Sequence, residues 1–236
     1  MKECNNLCDV NSCFLCRLCL PDWLPAIKAH KRNFKVKKGE QIFKEGEPVD
    51  GIYFVFAGIF KVHKRWDSEK ELIIRFAGEG DIIGHLGLGN APLYPVSATA
   101  LEPSVVCYLN MDFFETTLHV NTQLTYKLMR FFANELQESQ RSMRDLAHMS
   151  VKARIAQAFL ALKNQFGTNA EGYVNLEITR QDISSFAGSS YETLFKVINE
   201  FVTHNFIEFK GKNIRILNEA MLLQIIEQDN IRVPLL

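Results

Sequence analysis

The chain lacks an excess of charge of either sign. Its 236 residues carry 27 Lys and Arg against 27 Asp and Glu, so the formal net charge is zero. From residue 150 onward nine basic side chains stand against nine acidic ones, so the C-terminal part is neutral as well. A basic surplus would by itself indicate a nucleic-acid partner. Any such contact here must therefore depend on where a few cations are placed.

Long apolar runs are also missing. No stretch of about 18 apolar residues occurs, so we predict no membrane-spanning helix and no membrane partner. The first 13 residues contain no apolar core of a secretion signal. We therefore expect a cytoplasmic chain whose six cysteines serve metal or redox chemistry and do not form disulfides. The apolar share of 47% is enough for real cores, and the length suits about two domains.

The sequence also lacks recognisable groups of catalytic residues. The sequence has no paired catalytic carboxylates, no Ser/His/Asp order and no glycine loop for phosphate. We predict that the protein is not an enzyme. A small iron–sulfur electron-transfer protein is the enzymatic alternative, and only the cysteines favour it.

Cysteine, by contrast, is concentrated at the N-terminus, where five residues crowd together: Cys4, Cys8, Cys13, Cys16 and Cys19. The last three are separated from one another by two residues, which is the spacing of cysteine motifs that hold an iron–sulfur cluster. A Cys-x2-Cys unit also makes half of a zinc site, so zinc is the competing ligand, and a tail of free thiols is the remaining alternative. The sixth cysteine, Cys107, lies in an apolar segment, where a cysteine is most often simply core.

Residues 179–201 predict two short helices separated by a tight turn. Thr179 followed three residues later by Asp182 is a capping-box pattern that starts a helix. Gly188 then permits a turn that a side chain would resist. The second helix has an apolar face at i, i+3, i+4 and i+7 spacing, formed by Leu194, Val197, Ile198 and Phe201.

The opposite face of the second helix carries the informative side chains: Tyr191, Glu192, Phe195, Lys196 and Asn199. In a DNA major groove a Glu can accept from cytosine N4, and a Lys can donate to guanine or to a phosphate. An ordinary solvent-facing surface is the alternative interpretation. The predicted set of DNA contacts adds residues beside this face and at the helix starts: Thr193, Ser189, Ser190, Thr179 and Arg180.

A hairpin is predicted next, because residues 206–210 and 213–217 alternate apolar and polar side chains around Gly211 and Lys212. Two helices followed by a hairpin make a winged helix-turn-helix. Glu192, Thr193 and Lys196 stand where the cyclic-AMP receptor protein and FNR family of bacterial transcription regulators has a Glu-Thr pair and a basic residue. The region resembles the DNA-binding domain of that family.

Two positions depart from the family pattern. Lys196 replaces the usual Arg and cannot make its planar two-pronged contact. Phe195 replaces a small residue and can either meet a thymine methyl or shift the helix. The resemblance implies a homodimer that binds a palindromic operator in double-stranded DNA, with RNA polymerase as a further partner.

Short β-rich segments punctuated by glycines predict a small barrel or roll over residues 21–110. The segments 39–46 and 76–84 resemble the cyclic-nucleotide-binding roll of the same family. That family binds the ribose with a Glu where this chain has His85, and the phosphate with an Arg where it has Val96. No Lys or Arg occurs from 86 to 106, and a buried phosphate without a cation is costly, so we predict no cyclic-AMP binding.

FNR-type oxygen sensors carry a cysteine group ending in Cys-Ile-Pro and a distant cysteine before a Phe-Glu-Thr-Leu helix start. Cys19, which precedes Leu20 and Pro21, and Cys107, which precedes residues 114–118, stand in matching places. The resemblance implies one [4Fe–4S] cluster. Its ligands would be Cys19, Cys107, Cys16 and Cys13, with Cys8 as a substitute. The spacing departs from FNR, which has a longer gap before its last N-terminal cysteine.

Residues 111–148 contain no Gly or Pro and predict one long helix that packs partly on the roll and partly on a second chain. The sequence therefore predicts an α+β chain with four parts. They are a cysteine-rich tail at 1–20, a jelly-roll-like β-roll sensor at 21–110, a dimerisation helix at 111–148 and a winged helix-turn-helix at 149–236.

The predicted function is a homodimeric, sequence-specific transcription regulator that senses oxygen or redox state through the cysteines. One alternative is a regulator of the same fold that senses zinc, or a gas at a haem held by His85 and His63. We prefer the interpretation that both histidines are either hydrogen-bonded within the protein or exposed to solvent, and do not bind haem. Another alternative is an interaction protein that has lost DNA binding.

Overall fold

A computed structural model describes residues 1–4, 13–67, 70–91 and 93–231, excepting the side chains of 230 and 231. Cys8, the predicted substitute ligand, lies outside these residues. The chain divides into two units, Met1–Glu135 and Leu136–Leu236. Strands and helices together confirm the α+β class. Among the described helices, none is both long and apolar enough to cross a membrane.

The first unit is built on nine strands within its described residues: β1 Lys2–Cys4, β2 Arg32–Val36, β3 Gln41–Phe43, β4 Gly51–Ala57, β5 Phe60–Arg65, β6 Glu71–Ala77, β7 Ile82–Ile83, β8 Ser97–Ala100 and β9 Ser104–Asn110. They form two antiparallel sheets, ordered β1-β2-β9-β4-β7 and β3-β8-β5-β6. The β-roll predicted from the short, glycine-punctuated segments is therefore confirmed.

Side-chain alternation along β4 shows how the five-stranded sheet serves two cores. Tyr53 points into a core shared with the four-stranded sheet, whereas Phe54 belongs to a second core, as the two-residue period of a strand requires. The interior of the roll is filled by aromatic rings, because Phe43 stacks on Tyr94 with ring centroids 4.1 Å apart. Burying each such side chain contributes about 1.5–3 kcal/mol.

Four helices supply side chains to the second core: α1 Phe14–Leu18, α2 Leu24–His30, α3 Met111–Val120 and α4 Thr122–His148. Of the segment predicted as a cysteine-rich tail, the described residues 1–4 and 13–19 make contacts within the first unit. Its strand β1 pairs with β2 at the sheet edge, and α1 buries Leu15 and Cys16.

The single helix predicted over residues 111–148 is corrected by a break at Asn121, whose φ of −105° and ψ of 76° leave the helical region. A broken helix leaves carbonyl groups without partners. Here side chains satisfy them, because Asn121 Nδ2 donates to the Thr117 carbonyl at 2.8 Å and Thr125 Oγ1 donates to the Leu118 carbonyl at 2.6 Å. This explains how the break forms without Gly or Pro.

The second unit contains the helix pair and hairpin that the sequence predicts. Within the described residues its elements after α4 are α5 Val151–Phe166, α6 Arg180–Phe186, α7 Tyr191–Thr203, β10 Ile207–Lys210, β11 Asn213–Ile216 and α8 Glu219–Ile231. The hairpin is antiparallel, with Lys210 opposite Asn213. Gly211 in its turn has a φ of 66°, which a residue with a side chain adopts only with strain.

The contact of the partly buried Glu71 carboxylate with His63 and Lys61 in the four-stranded sheet predicts an acid-dependent stability. His63 Nδ1 lies 2.9 Å from Glu71 Oε2, and His63, followed by Lys61, lowers the pKa of Glu71 from 4.5 to about 2. A carboxyl with a lowered pKa stabilises the fold above its ordinary pKa and loses that contribution as the pH falls through the folded value. We expect the wild type to lose about 2–3 kcal/mol of unfolding free energy between pH 4.5 and 2.

Denaturant unfolding of wild type and Glu71→Gln at several pH values checks this expectation. The variant should show a flatter stability profile across the window. Parallel profiles would show that Glu71 is not the titrating group.

Candidate DNA-binding surface and cysteine cluster

Two side chains start the helices of the pair. The Thr179 hydroxyl accepts from the Asp182 N–H at 3.0 Å, and the Ser190 hydroxyl accepts from the Thr193 N–H at 3.2 Å. Each satisfies a backbone donor that a helix start leaves without a partner. Gly188 in the turn has a φ of 59°. The Thr179 cap at the predicted helix start and the predicted glycine turn are both present.

The faces of α7 divide as predicted. Leu194, Val197, Ile198 and Phe201 are buried. Tyr191 and Phe195 remain 44% and 48% exposed, which is high for aromatic side chains. The other predicted surface residues, Glu192, Lys196 and Asn199, are exposed as well. Thr193 is half-buried, and the Ser189 hydroxyl oxygen is buried without a partner.

Glu192 stands in the first turn of α7, where the free N–H groups favour a negative charge. Its own backbone N–H, followed by the Ser190 hydroxyl, lowers the pKa of the Glu192 carboxyl. The group is therefore ionised near neutral pH. It can accept hydrogen bonds and cannot donate them.

A cleft of ≈ 270 Å³ lies between the start of α6, the start of α7 and the hairpin. The Arg180 guanidinium lies over the Phe209 ring, 4.8 Å from its centroid. Lys212 at the hairpin tip adds a second cation to the lining. Arg180 belongs to the contact set predicted from the sequence, whereas Phe209 and Lys212 do not, although Lys212 stands in the predicted hairpin turn.

Arg154 joins the end of α4 to the turn between α6 and α7. Its Nε and Nη2 donate to the carbonyls of Ala187 and Gly188, both at 3.0 Å. Its Nη1 donates to the carbonyls of Met149 at 2.9 Å and Leu146 at 3.2 Å. One side chain thus satisfies carbonyls at two helix ends. No sequence pattern pointed to it.

The four predicted ligand cysteines meet in the second core of the first unit. Cys13, Cys16, Cys19 and Cys107 are all at most 8% exposed and belong to one apolar cluster. Cys13 and Cys107 line the same small cavity of ≈ 10 Å³. Burial, followed by the proximity of Cys13, raises the pKa of the Cys19 thiol to about 11.

The chemistry of this donor set fits a sulfur-ligated metal centre, because iron–sulfur clusters are held by cysteine thiolates. Asn33 is the cross-strand neighbour of both Cys4 and Cys107, and its side-chain oxygen is buried without a partner. Within residues 1–4, 13–67, 70–91 and 93–231, no three His, Cys, Asp or Glu side chains are arranged to hold a metal ion.

The two histidines considered as haem ligands are buried and have protein neighbours. His63 contacts Glu71 and also Thr99, with His63 Nε2 2.8 Å from Thr99 Oγ1. His85 packs between Phe131 and Phe132, with ring centroids 5.0 and 5.4 Å away. His85 Nε2 lies 3.7 Å from the Glu135 carboxylate. Burial lowers the pKa of His85, which favours the neutral ring.

Comparison with known proteins agrees with both units. A cyclic nucleotide-binding domain profile matches residues 33–121, and a Crp-like helix-turn-helix domain profile matches residues 153–225. The transcriptional activator protein anr of Pseudomonas aeruginosa is 30% identical over 219 residues, which cover 89% of each chain. The fumarate and nitrate reduction regulatory protein of Vibrio cholerae is 26% identical over 223 residues, or 90% of this chain and 88% of that one.

The structure of FixK2 from Bradyrhizobium japonicum has the same fold. It superposes with a TM-score of 0.72 at 24% identity, covering 82% of this chain and 96% of that chain. The chain belongs to the CRP/FNR family of transcription regulators, as the combined matches show. The roll and helix-turn-helix architecture expected from the sequence is that of the family.

Proposed function

We propose that this protein is a homodimeric, sequence-specific DNA-binding regulator whose buried cysteines sense oxygen or redox state. One observation carries the DNA-binding part: α7 exposes Tyr191, Glu192, Phe195, Lys196 and Asn199 along one face and buries the opposite face. A helix anchored in this way can enter the major groove.

Base reading would come from three side chains on that face. Glu192 accepts from cytosine N4, and Lys196 donates to guanine or to a phosphate. Phe195 offers its exposed ring to a thymine methyl. The hydroxyls of Ser190 and Thr179, at the helix starts, would contact the sugar-phosphate backbone.

The cleft beside α6 is proposed to hold a backbone phosphate. Arg180 and Lys212 place two cations at its walls. The neutral charge of the chain therefore does not prevent DNA binding, because local cations supply the attraction.

Dimerisation is proposed through α4. Its exposed large apolar residues include a set spaced by seven, the period of a coiled-coil seam: Met129, Leu136 and Met143, which are 59%, 60% and 60% exposed. A parallel pair would set two recognition helices on one palindrome. RNA polymerase is the further partner that we expect.

The sensing part is proposed to use Cys13, Cys16, Cys19 and Cys107 as ligands of one [4Fe–4S] cluster, with zinc as the competing occupant. Such a cluster would supply a redox-active centre when bound. The residues themselves provide buried thiol donors and exclude water. We further propose that cyclic AMP is not the effector, because His85 and Val96 replace the family's nucleotide ligands and no Lys or Arg occurs from 86 to 106.

Gel-shift titration against random DNA at two or more salt concentrations tests the proposed function. Lys212→Ala should weaken binding to all sequences alike and lower the slope of log affinity against log salt by about 1, because one phosphate contact is lost. Lys163→Ala is the matched control, since that ammonium is paired with Glu219. An unchanged slope in Lys212→Ala would remove the cleft from the interface, and no binding by wild type would favour the interaction-protein alternative.

A further inference from the structure

The cysteine segment is bonded directly to the break between α3 and α4. Leu20, the residue after Cys19, donates its backbone N–H to Asn121 Oδ1 at 2.7 Å. Asn121 is only 1% exposed, and its Nδ2 donates to the Thr117 carbonyl at 2.8 Å. The oxygen of the buried Asn121 side-chain amide is therefore bonded to the cysteine segment, and its nitrogen is bonded to α3.

The same residue also starts α4. The Asn121 carbonyl accepts from the Thr125 N–H at 3.0 Å, as the first helical bond of α4 requires. A second bond reinforces the junction, because Trp23 Nε1 donates to Thr117 Oγ1 at 3.2 Å. Movement of the backbone at Leu20 would therefore pull on the residue from which α4 begins.

We propose that Asn121 is the positioning residue through which the cysteine segment holds the start of α4. This proposal rests on the proposed function and concerns how the cysteine segment regulates the helix proposed to form the dimer. A buried N–H or amide oxygen left without its partner is costly, so the two segments must move together or break the bond. Because coupling between sites is reciprocal, whatever alters residues 13–19 also alters α4, and the reverse holds too.

Leu20→Pro removes only the donor of this bond. Leu20 has a φ of −57° and a ψ of 136°, which proline adopts. Cys19 before it has a ψ of 150°, which a following proline also accepts. Leu20 is 49% exposed, so little packing is lost. Leu20→Ala keeps the N–H and is the matched control, and Asn121→Leu removes the acceptor from the other side.

Two measurements on the full chain decide the proposal. The first is the ratio of DNA affinities between protein prepared without air and the same protein exposed to air, with iron content as a check. We expect a ratio of about ten or more in wild type and Leu20→Ala, falling to about one in Leu20→Pro and Asn121→Leu at equal iron content. The second is hydrogen exchange at residues 122–128 after chelator treatment, which should be about tenfold faster in the two variants.

The proposal is overturned if Leu20→Pro keeps the affinity ratio of wild type. It is also overturned if hydrogen exchange at residues 122–128 is as slow in the two variants as in wild type. Equal DNA affinities with and without air in wild type would instead count against the proposed sensing. In that case the exchange measurement alone decides whether Asn121 holds α4.

Discussion

Protein prepared without air is expected to show a visible absorption band that Cys107→Ser removes completely. Iron–sulfur clusters are held by cysteine thiolates, and Cys107→Ser removes one of the four proposed thiolate ligands. Cys107 stands on β9, which is hydrogen-bonded to β2 on one side and to β4 on the other. Its place in the sheet is therefore fixed by hydrogen bonds on both sides.

Cys4→Ser is the matched control, because Cys4 lies on the edge strand and is not among the proposed ligands. It should keep the band and the iron and sulfide content of wild type. Circular dichroism of Cys107→Ser checks that the fold is retained. A band that survives in Cys107→Ser, or a colourless wild type that carries zinc, would contradict the cluster proposal.

Arg154→Ala is expected to lower the unfolding free energy of the second unit by about 2–4 kcal/mol, since hydrogen bonds from a charged donor contribute about 1.5–3 kcal/mol each and partial exposure reduces this. The variant leaves the carbonyls of Leu146, Met149, Ala187 and Gly188 without their shared donor. The turn before α7 then loses its anchor, so DNA affinity should fall as well. Urea unfolding and fluorescence anisotropy with labelled DNA measure the two effects.

Arg154→Lys should recover little, because an ammonium cannot reach four carbonyls in a fork. Lys152→Ala is the control on the same helix. Its exposed pair with Glu200 should contribute less than about 1 kcal/mol. Equal losses in Arg154→Ala and Lys152→Ala would show that the Arg154 contacts do not hold the turn.

Much of the second unit could be predicted from the sequence because its signals are local. Val151–Phe166 and the α6–turn–α7 arrangement follow from amphipathic spacing, two hydroxyl caps and Gly188. The hairpin follows from alternation around Gly211. In the roll, the glycine-bounded segment 39–46 contains the observed strand β3, Gln41–Phe43.

What could not be predicted depends on residues far apart in the chain. At the break, the Asn121 side-chain oxygen accepts a hydrogen bond from the backbone N–H of Leu20, 101 positions earlier. Arg154 reaches carbonyls more than 30 positions away. The packing of the cysteine segment against β9 is likewise a tertiary contact, which periodicity does not reveal. For the candidate ligands, only the resemblance linked Cys107 to the N-terminal cysteines.

The most direct test of the account is selection of bound sequences from random double-stranded DNA by the full-length protein prepared without air. The account predicts an enriched palindrome whose half-sites lie about one helical turn apart, since two α7 helices must read one face of the duplex. Enrichment of a single unpaired half-site, or of no sequence at all, would contradict it.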